Sequence, residues 1–131
     1  MKQTLLAAAF LAASSCGATA QNLDGNTLLE ACEAPETDGL YFFCTGYILG
    51  IVEGIKWGAS VTVMASGTKV ETAELNGLTD FMLGYCSPPE AELRQHLDIV
   101  VNFLVTHPER RHESARGLAL DAFREAFPCP A

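Results

Sequence analysis

The chain has 131 residues and carries 16 Asp/Glu against 8 Lys/Arg, a formal net charge of −8. That balance excludes a phosphate-binding surface, which needs a basic face, so nucleic acid is not an expected partner. The length allows one domain with a modest core, and the acid excess suits either solubility or a basic protein partner.

The first twenty residues read as a secretory signal peptide. Met1-Lys2 supplies the charged start, Leu5 to Ala13 the apolar run, and Ala18-Thr19-Ala20 the small-residue cleavage site. The run is far short of the roughly 20 apolar residues of a spanning helix. Ala13-Ser14-Ser15-Cys16 bears a faint likeness to a lipoprotein site with the lipid on Cys16. A larger aliphatic residue is usual where Ala13 stands, so cleavage after Ala20 is the preferred reading. Residues 21–131 then form the exported, periplasmic domain, and Cys32, Cys44, Cys86 and Cys129 remain.

Asn22 to Ala34 predicts a first helix with Leu28, Leu29 and Cys32 inward and Asn26 or Thr27 as its cap. Pro35 to Gly39 is a turn. Residues 41–61 predict a second helix, because Ile48, Ile51, Val52, Ile55 and Ala59 recur at spacings of three and four. Beside that stripe stand Gly46, Gly50, Gly54 and Gly58. Each helical glycine costs about 0.8–1 kcal/mol relative to alanine, so four cost on the order of 3–4 kcal/mol. Close approach of a neighbouring helix or loop is the expected compensation. A membrane glycine zipper is the rival, but Glu53 and Lys56 oppose it, since a charge at the bilayer centre costs about 2.5–3.5 kcal/mol. Membrane insertion is therefore not expected. Trp57 reads as a half-buried core residue rather than an end anchor.

From Val61 to Tyr85 the pattern weakens, with turn signals at Ser66-Gly67 and Asn76-Gly77 and at most a brief helix over Leu78 to Tyr85. Such a stretch is the expected place for a functional loop. Ser87-Pro88-Pro89-Glu90 predicts a helix start with Ser87 as cap, and Leu93, Leu97, Val100, Val101 and Leu104 form its apolar face as far as His107-Pro108. After the charged turn Glu109 to His112, a last helix runs from about Glu113 to Phe127. Ala115, Leu118, Ala119, Ala122 and Ala126 face inward with Phe123 beside them, and Pro128 stops the helix.

Four cysteines in a short secreted chain point to two disulfides with three connectivities. A metal site or a catalytic thiol is the weaker reading, because no pair has CxxC spacing and no histidine stands near a cysteine. Antiparallel packing of the first two helices brings the end of one, Cys32, to the start of the next, Cys44. Cys86 and Cys129 likewise bracket the last helix hairpin. The predicted pairs are Cys32–Cys44 and Cys86–Cys129, contributing roughly 3 and 4 kcal/mol in the chain-entropy model.

Catalytic chemistry finds little support. His96 on the polar side of its helix, His107 at the helix end and His112 in the charged turn lack the three or four converging ligands of a metal site. Glu90 with Glu92, or Glu109 with Glu113, are paired acids of the kind that line any solvated face. Ser114 has His112 nearby in sequence only, which does not make a triad. No glycine-rich phosphate loop follows a strand. No catalytic, cofactor-binding or metal residue is assigned, and no cofactor is expected.

In order, Leu28-Leu29-Glu30-Ala31-Cys32, Phe43-Cys44-Thr45-Gly46-Tyr47-Ile48-Leu49-Gly50, Tyr85-Cys86-Ser87-Pro88, Asn102-Phe103-Leu104 with His107-Pro108-Glu109, Ala122-Phe123, and Phe127-Pro128-Cys129 resemble the Rap/Tai family of type VI secretion immunity proteins. The likeness covers about four-fifths of the mature chain and fails only between the second and third helices. It implies an all-α periplasmic domain with two disulfides, which agrees with the bundle of four helices or slightly more read along the chain. It also implies a non-enzymatic protein that binds and neutralises a secreted toxin. Lys69, Glu71, Glu74 and Asp80 in the weakly patterned stretch are the candidate partner-binding residues, and homodimerisation is left open. The rival functions are a periplasmic acid-stress chaperone, which would loosen as its carboxylates protonate, and an enzyme with a pocket the sequence does not show. The intact mass of the exported protein is expected to start at Gln21 with both disulfides formed; a lipid mass on Cys16 would overturn the cleavage reading.

Overall fold

The computed structural model describes residues 22–130; the signal-peptide reading of residues 1–20 and the alternative at Cys16 lie outside them. Within that range the chain forms α1 (Gly25–Cys32), α2 (Gly39–Ala65), α3 (Thr72–Leu83), α4 (Leu93–Thr106) and α5 (Ala115–Ala126), with a 3-10 turn at Pro108–Arg110. The all-α expectation holds, but the brief helix read over Leu78 to Tyr85 is in fact α3, twelve residues from Thr72 to Leu83, with Asn76-Gly77 inside it rather than at a turn. Both disulfides form as expected, Cys32 to Cys44 and Cys86 to Cys129.

The cap of α1 is Asp24, not Asn26 or Thr27. Its carboxylate accepts the Thr27 backbone N–H at 2.9 Å. That hydrogen bond also holds the Asp24 carboxyl below the usual range. The cap falls earlier because residues 23–26 are pinned to the segment before α5: Gly25 N donates to Glu113 O, Asn26 N to Arg111 O, and Ala115 N to Leu23 O, at 2.8–3.1 Å. Gly25 is required by this closeness. A Cβ there would lie 2.6 Å from Leu118 Cδ1 and 3.0 Å from the Arg111 carbonyl oxygen.

Asp38 caps α2 through Leu40 N at 2.8 Å, and the helix runs well past the predicted end, to Ala65. Its inward stripe is as read: Cys44, Ile48 and Ile51 are buried, with Val52 and Ile55 partly so against the same core. The glycine expectation fails. A Cβ on Gly46, Gly50, Gly54 or Gly58 meets nothing within 4 Å, because these positions lie on the side of α2 turned away from the core. Trp57 shares that side and is 68% exposed, so it is not a core residue.

Ser87 does not cap α4, which starts later, at Leu93, with Glu92 before it and no side-chain cap. Pro89 biases Pro88 away from helical geometry, leaving a turn closed by Ala91 N on Pro88 O at 3.0 Å. The Ser87 hydroxyl instead accepts from Lys56 Nζ at 3.2 Å. His96 is the other correction on α4. It is 5% exposed, not on the polar side, because it falls three after Leu93 and four before Val100 and so shares their face. In α5, Ala115, Leu118, Ala119, Ala122 and Phe123 are buried, while Ala126 is exposed.

One core joins these elements. Tyr85, Phe123, Leu28, Ile48, Leu104, Leu118, Val100 and Cys44 are fully buried at its centre, with the Tyr85 and Phe123 rings 5.5 Å apart. Arg110 reinforces the far side, reaching Glu113 at 2.7 Å and Asp121 at 2.8 Å. The two kinds of glycine give opposite expectations. Gly25→Ala overpacks the contact with Leu118 and should cost about 1–3 kcal/mol. Gly77→Ala, inside α3 with nothing within 4 Å of its Cβ, should gain about 0.8–1 kcal/mol. Urea unfolding of the oxidised protein measures both; equal signs would contradict the packing described.

Candidate functional site: the α2–α3 arm

The second half of α2 leaves the core and is accompanied by α3, which packs on one of its flanks. A short connection, residues 66–71, joins them, turned by Gly67 at φ +78°. At the other end α3 stops at Gly84, whose φ of +75° is left-handed and favours glycine. Arg124 of α5 closes that end by donating from Nε to the Leu83 carbonyl at 2.8 Å.

Polar contacts tie the two helices together at the root. Lys56 Nζ lies 3.1 Å from the Asp80 carboxylate and 5.3 Å above the Tyr85 ring, besides its bond to Ser87. Ser60 and Thr79 hydroxyls meet at 3.2 Å, and buried Thr79 donates to Leu75 O at 2.8 Å. Burial pushes the Tyr85 phenol up to about 12, and the negative charges of Asp80 and Glu53 add to the effect. Its hydroxyl is buried and unpartnered. Tyr85 is therefore a neutral packing group whose ring face takes the Lys56 cation.

The four candidate residues do not share one role. Lys69, Glu71 and Glu74 are exposed around the connection and line a groove of about 560 Å³ with Met64, Thr68 and Leu75. Asp80 lies one side of this group, in the Lys56 ion pair, where it holds the arm's two helices together. What the sequence reading missed is apolar. Among the described residues, ten of the eleven exposed large apolar side chains lie on α2 and α3, led by Phe81 at 78%, Trp57 at 68% and Phe42 at 64%. Leu78 and Met82 of α3, with Val63, line a second groove of about 310 Å³. The available signal was that α2 is apolar on all sides; it meets the length and composition of a membrane-crossing helix, yet only 6% of its most apolar window is buried.

The other candidates are structural. His96 Nδ1 lies 2.9 Å from Glu92 O, and its ring packs against Phe123 and Phe127. His107 ends α4, with Nδ1 3.0 Å from Phe103 O and its ring stacked on Phe103 at 4.2 Å. His112, Glu90, Glu92 and Glu109 are exposed, while Glu113 is engaged by Arg110, whose hydrogen bonds hold that carboxyl below its usual range. Ser114 sits at the start of α5. Among the described residues no three His, Cys, Asp or Glu side chains converge as metal ligands.

Lys56→Met keeps the apolar stem over Tyr85 but strips Asp80 of its counter-ion, at a cost of about 1–2 kcal/mol. Amides of α3 should then exchange with deuterium about tenfold faster, while those of α4 and α5 keep their protection. A uniform change across all helices would show that the ion pair does not hold the arm.

A model of the family described as Rap1a immunity proteins matches residues 24–129. That stretch contains all four bridged cysteines and all five helices. No curated protein and no solved structure matches the chain.

Proposed function

The chain belongs to the Rap1a immunity proteins, and from that premise we propose that it works in the periplasm, binding and neutralising a cognate toxin delivered by type VI secretion. It acts by occupancy, not catalysis. The arm supplies what such binding needs: a rigid element, apolar anchors and a polar rim. The observation that carries the reading is the concentration of exposed apolar side chains on α2 and α3, since patches of this kind on a soluble domain mark interaction sites.

On α3, Phe81 is the anchor, with Leu78 and Met82 beside it. Lys69, Glu71 and Glu74 form the charged rim, where acids favour a basic toxin surface and raise the rate of encounter. Asp80 contributes indirectly, by keeping α3 seated on Lys56. The two disulfides suit an oxidising compartment and fix the base from which the arm projects.

Co-expression with each candidate toxin encoded by neighbouring genes, followed by pull-down from the periplasm, tests the proposal. One toxin should be rescued and captured. Phe81→Ala should weaken that capture by about 30-fold, as loss of an interface anchor does. The double reversal of Glu71 and Glu74 to Lys should mainly slow association. Absence of rescue and of binding across all of them would sink the reading.

A further inference from the structure

The arm turns polar side chains inward and apolar ones outward, and a toxin accounts only for the outward set. Between α2 and α3, beside the segment that leads to α4, lies a cavity of about 340 Å³. Lys56 and Ser60 line it from α2, Asn76, Thr79 and Asp80 from α3, and Ser87 with Pro89 from the segment beyond. Spacings of four on α2, and of three and four on α3, put each set on one helix face. Packed helices ordinarily meet through apolar side chains, yet Trp57, Leu78 and Phe81 are exposed here.

The fold leaves part of this lining's hydrogen-bonding capacity unspent. The Ser60 hydroxyl donates to Lys56 O at 2.9 Å, and the Thr79 hydroxyl to Leu75 O at 2.8 Å. A hydroxyl has one hydrogen, so with both committed to their own helices the 3.2 Å contact between them sets two acceptors face to face. Thr79 is 2% exposed, which makes an unfilled acceptor there costly. Of the three Lys56 donors, Asp80 Oδ1 and Ser87 take two. Among the described residues one ammonium N–H and Asp80 Oδ2 stay open.

We propose that this cavity binds a neutral polyhydroxylated molecule the size of one sugar ring. Lys56 and Asp80 cancel each other's charge, so the lining favours neither an anion nor a cation. It calls for a donor at Ser60 and Thr79, a donor at Asp80 and an acceptor at Lys56. Hydroxyl groups on neighbouring carbons serve as both. The Asn76 amide adds N–H donors and a carbonyl acceptor at the exposed edge, and Pro89 offers an apolar surface for ring C–H groups. The volume is near the lower limit of the roughly 300–1,000 Å³ of ligand sites, room for one ring and not for a chain.

Binding of this kind is independent of any toxin and is measured on the mature oxidised protein alone. Titration with glucose or N-acetylglucosamine, followed by amide NMR, should give saturable shifts confined to the segments around Lys56, Asn76 and Ser87. A Kd of about 1–10 mM is expected for so small a ligand. Thr79→Val removes the buried acceptor and should weaken binding by about tenfold. Asn76→Ala, at an exposed helix position where the fold is indifferent to it, should weaken binding by about threefold. Phe81→Ala, on the outer face, should leave it unchanged. Equal affinity for N-acetylglucosamine and its linear tetramer assigns the cavity to a free sugar, and tighter binding of the tetramer to the end of a glycan. No saturable shift with either sugar, at concentrations well above that Kd, would overturn the proposal. So would shifts that persist undiminished in both cavity variants, shifts confined to Phe42, Trp57 and Phe81, or tighter binding of glutamate than of the sugars.

Discussion

The seating of the first half of α2 on α1 and α4 is the constraint from which the remaining architecture follows. Cys44, Ile48 and Ile51 enter the core at successive turns, and the Cys32 bridge fixes the first of them to the end of α1. A helix held so firmly over its first four turns has its direction set. Beyond Lys56, residues 57–65 then project by about 14 Å with α3 alongside them. Were the inner stripe to run the whole length of the helix, α2 would lie flat on the domain and there would be no arm.

What the projecting half lacks in core contacts it replaces with α3 and a few polar links. The Lys56 cation is central to them, bridging Asp80, Ser87 and the Tyr85 ring, so that three separate segments meet at one ammonium group. Such links hold position with little apolar burial, which leaves the apolar side chains of both helices free for other surfaces. The division of labour on α2 is angular. One flank faces the core, the next carries α3, and the remaining arc, with its glycines, faces solvent.

Much of this was legible in the sequence, and the failures have physical causes. The disulfide pairing followed from helix order alone, because antiparallel neighbours bring chain-adjacent ends together. The inner stripe of α2 followed from period. The glycines were read as sites of close approach, but their period fixes only the face they share, not whether anything in the fold covers it. Trp57 was misplaced for the same reason, being assigned to a core that lies on the other side of the helix. His96 was placed on a polar face by its residue type, although its spacing from Leu93 and Val100 puts it inside. Glu71 and Thr72 give α3 a weak start with no side-chain cap, and its moderate pattern reflects a helix that packs on one neighbour only. Of the candidate residues, Lys69, Glu71 and Glu74 were recognisable as exposed charges, whereas the role of Asp80 depended on a lysine 24 positions earlier in the chain.

The disulfides and the exposed surface are two sides of one energetic problem. This domain leaves ten large apolar side chains wholly or partly outside on α2 and α3, where they add little to the stability of the fold. The two bridges stabilise it by a different route, worth roughly 3 and 4 kcal/mol through the unfolded chain, with no demand on apolar surface. Their placement fits the same logic. Cys32–Cys44 secures the base of α2, and Cys86–Cys129 joins the chain just after α3 to the end of α5. The second lies where the arm is rooted, beside Tyr85 and Ser87, and the first at the opposite end of α2. Stability drawn from covalent closure at the root is what permits apolar surface to remain available further out, for a partner to cover.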